Sequence, residues 1–398
     1  MKDNQYWFDQ LEKYVAGGSS TGSKKATLLP EEPTVIMRGN GCRVIDADKK
    51  EYIDYRNGLG PVTLGYNIKE VNNAIKRQLT KGIVYGHPTP LEAEVAKLFT
   101  KIVPCAEKVR FLKTGGEALA ACIKLSRAYT GKKHIIQIGY NGWINTLSEG
   151  AKLNPRESIS GIPAGITEEL SQLHHTVNWN DQSTVKQLYE TYRNDIAAVV
   201  VAADYKEIDK GKEFYPFLRE ITEVNNSVLV FDEIVTGFRI ALGGVSEYFN
   251  VIPDMAVFAK GIANGMPLSV FMGKTDIMEC LSKGATVSST YGGEALSLAA
   301  CKQVIKFYQK ENVINHLWKT GEKLWSSLNR MFEEKNIDIR VVGYPPCAVF
   351  VSEDNNLLKD FFRSAYDNGI SLYNVSYVNF SHKQKDIEET LEKLEKCF

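Results

Sequence analysis

The chain has 398 residues, 43% of them hydrophobic and 24% charged, with 48 basic side chains set against 48 acidic ones. That length exceeds a single core and suits one large domain with a smaller one, while the zero charge balance argues against nucleic acid or an anionic membrane as partner. The longest wholly apolar run, Ile196 to Ala203, falls far short of the roughly 20 residues that a membrane-spanning helix needs.

The opening MKDNQYWFDQLEKY has no apolar signal-peptide core, and seven cysteines without a C-x-x-C pair point to reduced thiols, so a cytoplasmic protein is expected. Residues 1–32 predict a helix and then the Gly/Ser-rich GGSSTGSKKA, either a flexible linker or a loop that closes over a site. Thr34 to Asp54 predicts a small meander turning at Gly39–Gly41 and Asp46–Lys50. We expect an N-terminal segment at 1–57, a large domain at 58–292 and a small one at 293–398. Within the large domain, Ile68, Val71, Ile75 and Leu79 form a helical stripe ended by Gly82, and Thr89, Pro90 and Glu92 open a second helix.

Strand Val109 to Leu112 runs into Thr114, Gly115, Gly116 and Glu117, with a helix following to Tyr129. Amides at such a helix start bind phosphate, although a bare tight turn is the alternative meaning. Strand His134 to Ile138 ends in Gly139, Tyr140 and Asn141, where an aromatic either stacks on a ring or belongs to the core. Residues 144–180 show little periodicity and read as a mobile, substrate-facing segment; helix Val185 to Arg193 and the buried strand Ile196 to Ala203 follow.

Val228 to Phe231 is a four-residue apolar run that stops at Asp232 and Glu233, and Met255 to Ala259 is a second run that stops at Lys260. In a parallel sheet both side chains stand at the carboxyl edge, where ligands bind. A desolvated lysine can lose its proton and bond covalently to a carbonyl carbon, and an acid opposite it can keep a pyridine nitrogen protonated. Together they describe a pyridoxal 5'-phosphate (PLP) site, against the plainer reading of Asp232 as a turn cap and Lys260 as a solvated residue. No G-x-G-x-x-G follows the early strands, which argues against a nicotinamide enzyme. Pro267 to Gly273 predicts a further strand, and Thr290 to Gly293 a turn that caps a long helix from Glu294. Helices to about Glu334, strands near 340–342 and 348–351 and a final helix from Asp386 complete a small α+β domain.

DEIVTGFRIALGG and PDMAVFAKGIANGMPLSVFMGK strongly resemble the class III (fold type I) PLP-dependent aminotransferases, and most of all the glutamate-1-semialdehyde 2,1-aminomutase-like members. The resemblance extends from about Pro33 to the C-terminal helix. It implies an α/β fold with a mostly parallel central sheet flanked by helices, a smaller α+β C-terminal domain, and PLP as cofactor. It further implies Lys260 as the lysine that binds the cofactor covalently, Asp232 as the partner of its ring nitrogen and Tyr140 as the ring-stacking aromatic. Gly115 and Gly116 match the family's SGTEA phosphate grip, with Glu117 and Ala118 matching its last two residues and Gly116 standing where the family has threonine. Asn141, in the place of a histidine, and Ile234 are further cofactor contacts, and Thr290 reaches the neighbour's cofactor phosphate in a homodimer. The chain departs from the family at Ala202, where an apolar strand should run into Glu-Pro, and at Leu59, where an aromatic is usual. The substrate-carboxylate arginine is matched only by Lys24 or Lys25. These departures favour an aminotransferase that moves an amino group from an amino-acid donor to a small aldehyde or ketone, such as a sugar-derived one; the alternative is an aminomutase working within one substrate.

Overall fold

The computed structural model describes residues 2–140, 142, 144 and 165–397. The chain forms two compact units, residues 1–69 with 315–398 and residues 70–314. The first unit opens with the helix Asn4–Tyr14, whose Asp3 cap accepts the Tyr6 amide at 2.8 Å. Its Gly/Ser-rich stretch is tied down by Lys25 on Glu12 at 2.7 Å and by Arg56, which donates to the Ser23 carbonyl at 2.6 Å. The expected meander follows as strands β1 (Ile36–Asn40), β2 (Arg43–Asp46) and β3 (Glu51–Asp54), paired antiparallel in order.

The second unit is built on seven strands: β4 (Lys108–Leu112), β5 (His134–Ile138), β6 (His174–Val177), β7 (Ile196–Ala202), β8 (Val228–Asp232), β9 (Met255–Phe258) and β10 (Ser269–Gly273). Their order across the sheet is β4-β10-β9-β8-β7-β5-β6. Pairs among β5 to β9 are parallel, and β10 runs antiparallel to both of its neighbours. All residues of β7 and β8 are buried, because helices cover both faces. On one face the helix Gly115–Thr130 packs Ala118, Leu119, Cys122 and Leu125 against Val200, Val230 and Val257. On the other, Phe214, Tyr215 and Leu218 of the helix Gly211–Val224 pack against Val199, Leu229 and Phe231. Each fully buried side chain of this size stabilises the fold by about 1.5–3 kcal/mol, so the sheet is a stiff platform and its carboxyl edge a fixed place for side chains.

In the first unit β11 (Arg340–Val342), β12 (Cys347–Val351) and β14 (Val375–Tyr377) form an antiparallel sheet. The short β13 (Ile370–Ser371) instead adds in parallel to β3, pairing Ile370 with Ile53. That pairing, together with Arg43 on Asp386 and Glu389 and the Tyr55–Thr390 hydrogen bond, joins the N-terminal meander and the C-terminal α+β part in a single unit. No helix among the described residues is long and apolar enough to cross a membrane.

Candidate active site

Asp232 closes β8, and Lys260 follows Ala259 just beyond β9, the parallel neighbour on which Asp232 pairs with Val257. The strand register thus delivers both groups to one edge of the sheet. Lys260 begins a short 3-10 turn, Lys260–Ala263, with φ at +48°, a left-handed conformation that costs a non-glycine residue about 1–2 kcal/mol. Strain of this kind persists where the surrounding fold imposes it, and such places cluster at active sites. Asp232 is 7% exposed and accepts the Ile234 amide at 3.0 Å. Burial pushes its carboxyl up to about 7, against the pull of the Ile234 N–H and the Lys260 charge.

The glycine turn lies at the start of the helix Gly115–Thr130. Thr114 caps it, and the Glu117 carboxylate turns back to accept the amides of Thr114 at 2.7 Å and Lys113 at 3.2 Å. The amides of Gly115 and Gly116 remain as the first-turn donors, with the positive end of the helix dipole behind them. A Cβ on Gly115 would stand 2.3 Å from Cδ1 of Ile234, so the turn rests directly on the residue that bonds Asp232. Gly116 is looser, its nearest would-be neighbour being the tip of Ile144 at 3.1 Å.

Tyr140 is exposed just past β5, and its phenol is pushed up first by burial of the group and then by the Asp232 charge, which places the two within electrostatic reach. Gly139, with φ at +77°, lets the chain turn out beside β7, where a Cβ would lie 2.9 Å from the Ala202 carbonyl. Ala202 in turn pairs with Asp232. Asp232, Lys260, Tyr140, Gly115 and Ile234 are therefore brought together, with Gly116 at the rim. Thr290 is exposed in the turn before the helix Ala295–Lys310, and among the described residues no hydrogen bond ties it to that group. Its turn leans on β4 instead, Gly292 facing the Phe111 carbonyl. A cleft of about 330 Å³ opens there, lined by Glu92, Arg110, Phe111, Ser289 and Gly292, and it is not where Lys260 stands. Asn141 and most of the segment expected to face substrate lie outside the described residues. The outer strand β6, within the stretch read as aperiodic, was not expected.

Sequence reasoning passed over Glu233 and Lys113. Glu233, fully buried, accepts the Val245 and Ser246 amides at 2.9 Å each and the Thr236 hydroxyl, clipping the chain after β8. A threonine three residues on and a glycine pair shortly after were its signal. Lys113 pairs with Glu294, 181 residues away, and nothing local announces it.

The family model for aminotransferase class-III matches residues 28–398. The chain belongs to the class III aminotransferases. Glutamate-1-semialdehyde 2,1-aminomutase of Persephonella marina is 33% identical to it, over 98% of this chain and 97% of that one. Among solved structures, the PLP form of the FumI protein of Sphingopyxis sp. MTA144 superposes with a TM-score of 0.90 at 23% identity, covering 100% of this chain and 96% of that one. A glutamate-1-semialdehyde aminomutase of Pseudomonas aeruginosa superposes at 0.84 and 18%, covering 99% and 93%. This class III aminotransferase is thus a PLP-dependent enzyme of fold type I, with the mostly parallel sheet expected of it. The residues present fit that cofactor: a buried acid under the influence of a lysine, and beside them a helix start with two glycines in its first turn, the first packed on Ile234.

Proposed function

We propose that this class III aminotransferase relocates the amino group within glutamate-1-semialdehyde, giving 5-aminolevulinate. The observation that carries this reading is the 33% identity to a protein named as that aminomutase over 98% of the chain. A separate amino donor and carbonyl acceptor was the first expectation from the departures at Ala202 and Asn141; likeness over the full chain supports putting the intramolecular reaction ahead of it.

Bound PLP supplies the electron sink for cleavage at the carbon that bears the amino group. In this reading Lys260 would hold the cofactor covalently, and its Nζ would take and return the proton at the carbon that bears the amino group. Asp232 would keep the ring nitrogen protonated. Gly115 and Gly116 would donate backbone amides to the phosphate, and Tyr140 and Ile234 would hold the ring; Asn141, the remaining candidate contact, lies outside the described residues. Thr290 serves the neighbouring site of a homodimer, to be checked by sedimentation, and seven free cysteines favour a cytoplasmic setting.

One observation favours the second reading. Gly139, Ala202 and Asp232 succeed one another across the sheet edge, so where relatives place a carboxylate this chain offers only a methyl group, leaving room for another carbonyl compound. Purified enzyme given glutamate-1-semialdehyde alone separates the two. Rapid 5-aminolevulinate formation without a donor supports the mutase; no product until glutamate or another amino acid is added, with release of a keto acid, replaces it by two-substrate transamination.

A further inference from the structure

Three loops carrying candidate cofactor residues meet at one ammonium group. Lys113, the residue before the Thr114 cap, directs Nζ to Glu294 Oε1 at 2.8 Å, to the Pro267 carbonyl at 3.0 Å and to Ser297 Oγ at 3.5 Å. Pro267 lies at the end of the loop that begins at Lys260, and Glu294 ends the turn that begins at Thr290. Glu294 also caps the helix Ala295–Lys310 by accepting the amides of Leu296 at 2.7 Å and Ser297 at 2.9 Å, and Ser297 Oγ reaches the same Pro267 carbonyl at 3.1 Å. The pair is enclosed, with 16% of the Lys113 side chain and 9% of that of Glu294 exposed. Burial works against the Glu294 charge, yet hydrogen bonds from Lys113 and Ser297 hold its carboxyl below the ordinary carboxylate range. A lysine has three protons to donate, and all three have acceptors here, so Lys113 does not itself reach for a ligand.

We propose that the Lys113–Glu294 pair is a positioning clip: it fixes the spacing of the Gly115–Gly116 turn, the loop after Lys260 and the Thr290 turn, and so sets affinity for the phosphate end of the cofactor. This rests on the reading of the glycine turn as the phosphate site. Removing the ammonium leaves Glu294 charged and enclosed with no counterion, and leaves the Pro267 carbonyl short of a donor. The loops then relax, and amides aimed at a phosphate lose the alignment on which charge-assisted hydrogen bonds depend. Pyridoxal, which lacks the phosphate, does not sample that alignment.

The test is equilibrium titration of the full-length apoprotein with PLP and, separately, with pyridoxal, followed by visible absorbance. Lys113→Met is expected to raise the PLP Kd about tenfold and to leave the pyridoxal Kd within about twofold, with Lys113→Arg restoring most of the difference. Glu294→Gln, which keeps a cap acceptor but not the charge, carries the same expectation if Lys113→Met fails to fold. Wild-type protein that binds no PLP overturns the phosphate-site reading and the clip with it. Wild-type protein that binds PLP, together with variants whose PLP affinity is unchanged or falls in proportion to that for pyridoxal, overturns the clip alone.

Discussion

Two carboxylates leave the end of β8 in succession, and the fold treats them differently. Asp232 and Glu233 are 7% and 0% exposed, and burial pushes both up to about 7. Side chains alternate along a strand, so Asp232 follows Val230 toward the helix Gly115–Thr130 while Glu233 follows Phe231 toward the opposite face. There Glu233 is filled: Oε1 takes the Ser246 amide, Oε2 takes the Val245 amide and the Thr236 hydroxyl. The packing is close enough that a Cβ on Gly244, where φ is +75°, would lie 1.9 Å from Oε2. Asp232 accepts one amide, that of Ile234, and is otherwise balanced by the Lys260 charge. Equal burial and equal displacement therefore do not mean equal role. The carboxylate whose lone pairs are used by backbone amides holds the chain in place, and the one with lone pairs to spare has capacity for a ligand.

The contrast breaks most sharply if the Asp232 side is inert. Lys260→Ala is expected to lower turnover by at least about 10³-fold, the scale of lost proton transfer by a positioned base, while far-UV circular dichroism stays unchanged. Borohydride treatment of the variant should leave no fixed cofactor; a reduced cofactor mapped to some other lysine would remove Lys260 from the chemistry.

Asp232→Asn is expected to cost roughly 10²-fold in turnover with PLP content kept, since an amide lies over the ring nitrogen without the charge that keeps it protonated. The cofactor-free protein gives a second readout. A carboxyl held near 7 keeps, when folded, a proton that the unfolded chain releases near 3.8. That contribution to stability is complete below about 3.8 and is lost as pH rises through about 7. Asparagine has no proton to lose, so at pH 8 the apoprotein of the variant should be more stable than wild type by on the order of a few kcal/mol, and near equal to it only at about pH 3.5, where the unfolded chain keeps the proton too. Urea unfolding at the two pH values checks the sign; a variant less stable at pH 8 would mean that Asp232 is held by bonds like those of Glu233.

Glu233→Gln supplies the other half. At about pH 3.5, where both carboxyls keep their proton folded and unfolded alike, Asp232→Asn should be near neutral, whereas Glu233→Gln should lose about 1–3 kcal/mol because the new NH2 meets a backbone N–H that needs an acceptor. Per-site turnover of the folded fraction should hardly change. Turnover falling as far as in Asp232→Asn would join the two carboxylates into one functional pair.

How far this division was legible in the sequence depends on which physical term fixes each residue. Runs such as VLVF and MAVF announce strands buried on both faces, and the residues that stop them, Asp232 and Lys260, are where the structure puts them. Direction is another matter: Ser269–Gly273 reads as one more buried strand, and only tertiary pairing sets it antiparallel to β4 and β9. HHTV, at the outer edge of the sheet, has too little apolar pattern to declare β6. The parallel pairing of Ile370 with Ile53, the Lys113–Glu294 contact and the left-handed Lys260 are products of long-range packing, invisible to any local window. Family likeness supplied the roles of Gly115, Gly116 and Tyr140, which periodicity alone left open.

The smallest expected effect concerns Gly116, where the resemblance expects threonine. Its Cβ would meet only the end of the Ile144 side chain, at 3.1 and 3.2 Å, and a flexible tip can yield a few tenths of an ångström. No positive φ stands in the way, and in the first helical turn glycine is the less favourable residue by a few tenths of a kcal/mol. Gly116→Thr therefore should fold with wild-type stability or slightly above it. A hydroxyl added beside the two first-turn amides brings one more charge-assisted hydrogen bond to a phosphate, and since part of its strength is offset by desolvation we expect the PLP Kd to fall by about threefold to tenfold. Pyridoxal affinity should not move. If titration shows PLP binding unchanged while the variant is fully folded, the glycine turn is a tight turn and nothing more, and the phosphate must be held elsewhere on the sheet edge.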